Sequence, residues 1–290
     1  MSWRLAQARD LDALLALGCR AEWRVVPFTA RLRRGGASGL PPRWECSVLV
    51  HRPAPGAGAD GALLLTAGGL LLPVLGAQGP GGSAPPPFPA WPPLRRALHS
   101  AMGPLAEISW AEAGIRRQPR HTVDYHLMVL SRERFRAARS GIKPPPPGLR
   151  LRPAAMKDAA SLYPLQRDYE LEEVLIAPGH FHEKACLTNL RGLLRRQLVV
   201  LAELEGRAVA KAGTNARGFS VDQIGGVFTV EDQRNRAIGQ AVMRELLQRI
   251  FREKESACLF VKKTNQPAVA LYQRLGFQIL DGYRISYYRD

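Results

Sequence analysis

The sequence has few cysteines and no long apolar run, and both absences exclude classes of protein. The four cysteines of the 290-residue chain form no Cys-x-x-Cys pair, which argues against a disulfide scaffold and a thiolate zinc module. The longest apolar stretch, residues 62–75, contains glycines and a proline, and a membrane span needs roughly 18 apolar residues. The charged N-terminus has no signal-peptide core. We therefore expect a cytoplasmic protein with reduced thiols and no membrane partner.

Acidic residues are scarce relative to basic ones. The chain has 41 Lys and Arg against 25 Asp and Glu, a formal net charge of +16. Such a charge attracts nucleic acid, an acidic membrane surface or a phosphate-bearing cofactor. However, the chain has no recognisable nucleic-acid module and no aromatic residues interleaved with the basic ones. Nucleic acid therefore stays open as a partner but is not favoured.

Length and proline distribution predict two domains of the α/β class. Four consecutive prolines within residues 141–148 form a stiff spacer, so we predict an N-terminal domain over 1–140, a linker over 141–148 and a C-terminal domain over 149–290. A second proline-rich stretch, 76–93, is predicted to be a surface loop. The N-terminal half shows no catalytic constellation.

The predicted elements of the N-terminal half are a helix over 8–34 that Pro27 interrupts, strands over 45–51 and 61–75, a helix over 94–102, and strands over 106–111 and 123–130. Those of the C-terminal half are strands over 149–152, 197–204, 207–216, 221–230, 258–261 and 285–288, and helices over 157–175, 239–252 and 267–275.

The segment 223–241 is suited to bind a diphosphate. A strand over 223–230 is followed by a turn that leads directly into the amphipathic helix of 239–252. The first N–H groups of a helix have no partner within it, and together with the helix dipole they attract anions. Small residues at 237, 239 and 241 leave the main chain accessible, and Arg234 and Arg236 add positive charge.

Two motifs in this half resemble those of the GNAT superfamily of acyl-CoA-dependent N-acyltransferases. Arg234-x-x-Ala237-x-Gly239 is similar to the phosphate motif Q/R-x-x-G-x-G/A, with Ala237 where the first glycine is usual. About 30 residues later, Asn265-x-x-Ala-x-x-x-Tyr272-x-x-x-Gly-Phe resembles the superfamily's next strand and helix. The layout also looks like uncharacterised bacterial two-part GNAT proteins.

The resemblance implies a GNAT fold over 149–290, with a mixed central sheet flanked by helices, and the N-terminal half is compatible with a degenerate second GNAT fold. It implies transfer of an acetyl group from acetyl-CoA, the cosubstrate, to a primary amine of a small molecule or protein, by direct attack in a ternary complex. Tyr272 would protonate the leaving thiolate. The residues implied to contact the cosubstrate are Phe228, Thr229, Val230, Arg234, Asn235, Arg236, Ala237, Ile238, Gly239, Gln240, Ala241 and Asn265.

A general base is expected from the acidic segment 168–173, where Glu172 and Glu173 are the candidates. No metal is expected, because His180-x-His182-Glu183 with Cys186 fits no standard closed zinc pattern. Plainer interpretations stay open: Asn265 as a helix cap, Tyr272 as a core aromatic residue, and Glu172 and Glu173 as part of a solvated helix face.

Two other functions remain as alternatives to catalysis. One is a non-catalytic sensor or scaffold that binds acyl-CoA, and the other is a basic, RNA-associated protein. The sequence leaves open the acceptor, the length of the acyl group and the oligomeric state.

Overall fold

The computed structural model describes residues 3–35, 39–42, 44–54, 56–76, 98–115, 117–138, 143–175 and 181–288. Most of the predicted loop 76–93, the first residues of the predicted linker and His180 lie outside these ranges. The strands are β1 (Arg4–Leu5), β2 (Cys46–His51), β3 (Gly61–Thr66), β4 (Leu70–Leu75), β5 (Ser100–Pro104), β6 (His121–Ser131), β7 (Arg150–Pro153), β8 (Val199–Leu204), β9 (Arg207–Arg217), β10 (Val221–Thr229), β11 (Ser256–Lys262) and β12 (Gln278–Tyr287).

Helices flank these strands. They are α1 (Leu11–Cys19), α2 (Glu22–Gly35), α3 (Leu105–Gly114), α4 (Arg132–Ala137), α5 (Ala159–Tyr169), α6 (Glu183–Arg196), α7 (Ile238–Ile250) and α8 (Gln266–Arg274). A π-helical turn, Glu170–Val174, follows α5 directly, and a short 3₁₀ turn, Glu231–Gln233, lies between β10 and α7.

Contacts divide the chain into two compact units. The first contains Met1–Met128, Phe260–Asn265 and Ile279–Asp290, and the second contains Val129–Leu259 and Gln266–Gln278. Two segments that follow the proline-rich stretch in the chain therefore pack with the first unit. The division into domains at 141–148 stays a prediction.

The first unit is a sheet covered by helices on both faces. Its strand order is β1-β2-β3-β4-β5-β12-β6. Successive side chains of a strand point to opposite faces. Leu64 accordingly packs with Leu14 of α1 and Phe28 of α2, whereas Leu63 packs with Ile108 of α3. Alternate leucines of β3 thus fill two separate cores.

Three predictions for the N-terminal half are wrong in detail. Residues 61–75 form a hairpin with Leu65 opposite Leu71 rather than one bent strand. The predicted strand over 106–111 lies in α3, because good helix formers there bury Ile108 and Ala111 one turn apart. The end of the predicted helix over 94–102 is strand, because β5 pairs with both β4 and β12.

The second unit has the strand order β11-β10-β9-β8-β7. Its pairs are antiparallel except β10 with β11, which are parallel. Helix α7 buries the apolar face that its sequence predicts, and Val242, Met243, Leu246 and Leu247 of that face are inaccessible to solvent. The fold class predicted from the sequence, α/β with a mixed sheet and flanking helices, is confirmed.

Candidate functional site

Strand β10 contains a bulge near its end. Gly225 lies opposite Gly213 of β9, while Phe228 lies opposite Lys211, so β10 has one extra residue in this interval. Gly226 within it has a φ of +63°, a left-handed conformation that favours glycine. The parallel register with β11 covers Val221–Gln223, whereas β10 continues to Thr229. The bulge therefore lies beyond the stretch that β11 pairs with.

A buried lysine is hydrogen-bonded to this bulge. Lys211 is 4% exposed, and its Nζ donates to the carbonyl oxygen of Gly226 at 2.8 Å and lies 4.7 Å from the centre of the Tyr169 ring. Burial lowers the pKa of Lys211 to about 7, partly opposed by the nearby Glu170 and Cys186. Lys211 is therefore present in both its charged and its neutral form near neutral pH.

Cys186 and Glu170 complete the cluster around this lysine. Cys186 is fully buried in α6, and burial raises the pKa of its thiol to about 12, with Glu170 adding through its charge and a hydrogen bond. The Glu170 carboxylate also accepts a hydrogen bond from Gln166 at 2.9 Å. The thiol stays protonated at neutral pH, which makes Cys186 a poor nucleophile.

The loop between β10 and α7 contains two non-glycine residues in the left-handed conformation. Asn235 has a φ of +62° and Ala237 a φ of +60°. Ala237 directly precedes α7, and its carbonyl accepts from the N–H of Ala241 at 3.0 Å. Alanine at position 237 thus adopts the conformation that a glycine reaches without steric cost.

Gly239 lies in the first turn of α7, close to the end of β10. A Cβ at this position would lie 3.4 Å from Oγ1 of Thr229 and 3.7 Å from Cδ2 of Leu271. Its φ is not positive and these distances are ordinary van der Waals contacts, so neither the backbone conformation nor packing within the chain requires glycine here. The neighbouring residues Ile238 and Gln240 are buried.

Arg234 connects the loop with the acidic turn after α5. Its Nη2 lies 2.7 and 3.1 Å from the two carboxylate oxygens of Glu172, and its Nε donates to the Thr229 carbonyl at 3.1 Å. The guanidinium also lies 5.5 Å from the centre of the Phe228 ring. A predicted phosphate contact and a predicted base are thus paired with one another.

Tyr272 is buried in α8. Its ring meets Phe277 edge to face at 5.9 Å between centroids. Burial raises its pKa well above the usual range, and the nearby Tyr169 and Glu173 raise it further. The hydroxyl therefore keeps its proton at neutral pH, and the second predicted base, Glu173, lies in its neighbourhood.

The other predicted residues, apart from Asn265, lie along the segment from the end of β10 to the start of α7. Phe228 and Val230 are buried, and the N–H of Val230 donates to the Val209 carbonyl at 3.0 Å. Arg236 is exposed and hydrogen-bonds to Gln233. Asn265 directly precedes α8, and its N–H donates to the carbonyl of Lys262 at 2.9 Å. Asn265 packs with the first unit, and the other predicted residues belong to the second.

A cleft of about 640 Å³ lies within the second unit. Its walls come from α5 and the π-helical turn, from α6, and from β9 and β10. The residues that line it are Gln166, Tyr169, Glu170, Val174, Thr188, Asn189, Arg191, Gly192, Leu193, Arg195, Arg196, Asn215 and Gly226. The cleft therefore reaches the bulge of β10.

The arginines of α6 are not among the residues predicted from the sequence. Glu170 lies in the acidic segment 168–173, but Glu172 and Glu173 were its candidate bases, and the segment 211–215 was predicted either to line the pocket or only to close a hairpin. In the sequence, Lys211 stands out because it interrupts a predicted strand of alanine, valine and glycine, where a charged residue is unusual. Within the described ranges, no group of His, Cys, Asp and Glu is placed to hold a metal ion. None of the described helices has the length and hydropathy of a membrane span.

Comparisons with known proteins agree with the predicted family. Residues 159–277 match the family model described as the acetyltransferase (GNAT) family. Among solved structures, a Drosophila melanogaster protein is 17% identical with a TM-score of 0.68, and each chain covers 98% of the other. A tandem GNAT protein from the clavulanic acid biosynthesis pathway is 15% identical with a TM-score of 0.62, covering 98% of this chain and 97% of its own.

A GCN5-related N-acetyltransferase from Sphaerobacter thermophilus is 16% identical with a TM-score of 0.58, covering 100% of this chain and 96% of its own. No curated protein sequence matches the chain. At these identities the structural likeness shows a shared fold, which extends over both halves of the chain and agrees with the predicted fold class. Residues 159–277 are thus similar to the GNAT family of acetyltransferases, and this match covers somewhat less than half of the chain.

Proposed function

We propose that the protein transfers an acetyl group from acetyl-CoA to a primary amine by direct attack within a ternary complex. The observation that carries this proposal is the loop of residues 234–241, in which two left-handed residues lead from the end of β10 into the N-terminus of α7. The first N–H groups of α7 point out of the helix and attract anions. The family in general uses acetyl-CoA as the acyl donor.

The residues of this loop fit a diphosphate. Because Gly239 has no side chain, the space next to Thr229 at the helix start stays open. Arg236 is exposed beside it, and Arg234 is about 40% exposed despite its ion pair with Glu172. The main chain of 237–241 and these two arginines would hold the diphosphate, and Asn265 would face the pantetheine arm.

Strand β10 would position the reacting thioester. Acetyl-CoA supplies the acetyl group as a thioester, and main-chain groups of β10 beyond Gln223 would bind the pantetheine amides and polarise the acetyl carbonyl. The amine nitrogen then forms a bond to the carbonyl carbon and the C–S bond breaks. The thiolate takes a proton from the Tyr272 hydroxyl, while the amine loses one to a carboxylate.

Of the two predicted bases, Glu173 is favoured by the geometry. The Nη2 group of Arg234 lies within hydrogen-bond distance of both carboxylate oxygens of Glu172, so this carboxylate is already engaged in an ion pair. The charge of Glu173 contributes to the raised pKa of Tyr272, and we therefore assign the role of the base to Glu173. Glu173 can then return a proton to Tyr272 after each turnover.

Calorimetric titration tests the cosubstrate site. We expect saturable one-to-one binding of acetyl-CoA and no comparable binding of ATP at the same ionic strength. Gly239→Glu should abolish acetyl-CoA binding, because it places charge and bulk next to the diphosphate. Gly58→Glu is the matched control, since Gly58 is exposed in the first unit and a Cβ there would meet no atom within 4 Å.

Three outcomes would overturn the proposal. Normal acetyl-CoA binding by Gly239→Glu would show that the cosubstrate does not bind at this loop. Equal binding of acetyl-CoA and ATP by the unmodified protein would show only nonspecific attraction to a basic surface, and binding of neither would leave the fold without its proposed activity.

A further inference from the structure

The cleft of the second unit has the size of a small-molecule site. Its volume of about 640 Å³ lies within the range of roughly 300–1,000 Å³ that is common for such sites. One end is formed by Gly226, the residue of the β10 bulge, where the proposed reaction takes place. An acceptor bound in this cleft would therefore reach the reacting carbonyl.

The wall formed by α6 is strongly cationic. Arg191, Arg195 and Arg196 are all exposed, and none of them forms an ion pair or hydrogen bond with another described residue. Arg191 and Arg195 are four residues apart and thus lie on one face of the helix. This wall carries three positive charges in a space open to a ligand.

The guanidinium of Arg196 lies over Gly192, a position of the same helix that has no side chain. A Cβ on Gly192 would lie 2.7 Å from Nη2 of Arg196, so the guanidinium occupies the space that a side chain at position 192 would fill. Because that position has no side chain, Arg196 can fold over the helix surface next to the other lining residues.

Some arginines elsewhere in the second unit are paired with carboxylates. Arg152 contacts Asp158 and Glu203, and Arg217 contacts Asp222 and Glu253. The cleft arginines differ from these in having no such partner among the described residues. An oxyanion of a ligand would provide one, since guanidinium groups bind carboxylates and phosphates through paired hydrogen bonds.

The wall formed by α5 and the π-helical turn carries hydrogen-bond acceptors and the Glu170 carboxylate. Glu170 and Tyr169 line it, and Gln166 is 4% exposed with an Oε1 that has no hydrogen-bond partner among the described residues. A buried acceptor without a donor is unusual. Acceptors and a carboxylate favour an ammonium group, whereas the arginine wall favours an anion.

We propose, on the basis of the proposed function, that the acceptor is a small amine that also carries an oxyanion, either a carboxylate or a phosphate. The oxyanion is bound by Arg191, Arg195 and Arg196, and the amine lies at the wall of Gln166 and Glu170, next to the bulge. The separation of charge across the cleft orients the acceptor with its nitrogen towards the acetyl carbonyl.

The test uses matched amines that differ in the oxyanion alone. Phosphoethanolamine is compared with ethanolamine, and β-alanine with β-alaninamide, by thiol release from acetyl-CoA. We expect kcat/KM to be at least about tenfold higher for the charged member of a pair. The ratio of kcat/KM within the phosphate pair, compared with the ratio within the carboxylate pair, identifies which oxyanion the cleft prefers.

The double variant Arg191→Gln with Arg195→Gln should remove this preference by lowering kcat/KM for the charged amines about tenfold or more. The variant should leave kcat/KM for the neutral amines and the Kd of acetyl-CoA unchanged within about twofold. The control removes two exposed arginines away from the cleft, Arg150→Gln with Arg252→Gln, and should keep the preference.

Calorimetry with phosphoethanolamine and β-alanine, with and without coenzyme A, gives a measurement that does not depend on turnover. Binding that the double variant loses and the control retains supports the inference. No binding of either amine by the unmodified protein overturns it, as does a double variant that loses acetyl-CoA affinity instead, because the arginines would then serve the cosubstrate. Failure of the proposed function is distinct from these results, since it appears as absent acetyl-CoA binding.

Discussion

The Nζ of Lys211 donates a hydrogen bond to the main-chain carbonyl of Gly226 at 2.8 Å, and so a buried side chain of β9 holds the bulge of β10 in place. The groups that face the ammonium are the ring of Tyr169, the Glu170 carboxylate and the Cys186 thiol. A left-handed glycine has several accessible conformations, and this hydrogen bond selects one of them. The direction of the main-chain groups beyond Gly226 therefore depends on Lys211.

Lys211→Met should lower kcat about tenfold while the Kd of acetyl-CoA changes by less than about twofold, because the bulge loses its anchor but the loop of 234–241 keeps its geometry. Steady-state kinetics and calorimetry measure the two quantities. Lys184→Met, an exposed lysine on α6, is the control. An unchanged kcat would show that the bulge needs no anchor.

The same substitution should change how stability depends on pH. The pKa of Lys211 is about 7 in the folded protein and about 10.4 in an unfolded chain. Between these values the unfolded state binds more protons, so the free energy of unfolding rises with pH. Urea unfolding from pH 6 to 9 should show a smaller rise in Lys211→Met than in the unmodified protein. An identical slope would contradict the shifted pKa.

Ala237→Gly should raise the free energy of unfolding by about 0.5–1 kcal/mol, because it removes the steric cost of a left-handed alanine. Acetyl-CoA affinity should be at least retained. Ala241→Gly, inside α7, is the matched control and should lower stability by about 1 kcal/mol. If both variants are destabilised equally in urea unfolding, position 237 carries no strain.

Tyr272→Phe should lower kcat on the order of a hundredfold if the hydroxyl protonates the leaving thiolate. The ring stays in place against Phe277, so the Kd of acetyl-CoA should remain within about twofold. Tyr287→Phe, on β12 of the first unit, tests whether loss of any tyrosine hydroxyl has the same effect. A kcat within twofold of the unmodified value would assign Tyr272 to packing alone.

The buried carboxyl of Asp10 should make the free energy of unfolding depend on pH in the acidic range. Hydrogen bonds from Arg4 lower the pKa of this buried carboxyl to about 2, and Arg52 lies 2.9 Å from it. Because the folded pKa is below the unfolded value of about 3.9, the carboxylate contributes stability above that value, and the contribution is lost as the pH falls towards 2.

Asp10→Asn should therefore lower the free energy of unfolding by about 2 kcal/mol at pH 7, with a smaller difference at pH 3. Urea unfolding at both values measures it, and Asp12→Asn, exposed on α1, should have little effect at either. An equal loss at both pH values would show that the substitution acts by packing rather than through charge.

The elements that carry the family motifs could be predicted because their signals are local. The apolar period of 239–252 predicted α7 (Ile238–Ile250), and the proline and glycine around 267–276 predicted α8 (Gln266–Arg274). The left-handed conformation of Ala237 agrees with the glycine that the family motif usually has at this position. The predicted roles of the site residues stay predictions until the substitutions are measured.

Predictions failed where long-range pairing or packing decides the structure. β5 is a strand because β4 and β12 pair with it, and β12 comes from the far end of the chain. The ion pair between Arg234 and Glu172 joins residues 62 positions apart. No local pattern contains either contact.

Sequence by itself determined the resemblance to the GNAT family, the turn after β10 and the helices beside it, because backbone conformation, helix periodicity and motif spacing are set by residues close together in the chain. Tertiary structure alone decided the chemistry around them. It placed Lys211 beneath Gly226 with a pKa near 7, and it placed the arginines of α6 in one cleft with Glu170, because burial and charge separation depend on strands and helices that are distant in sequence.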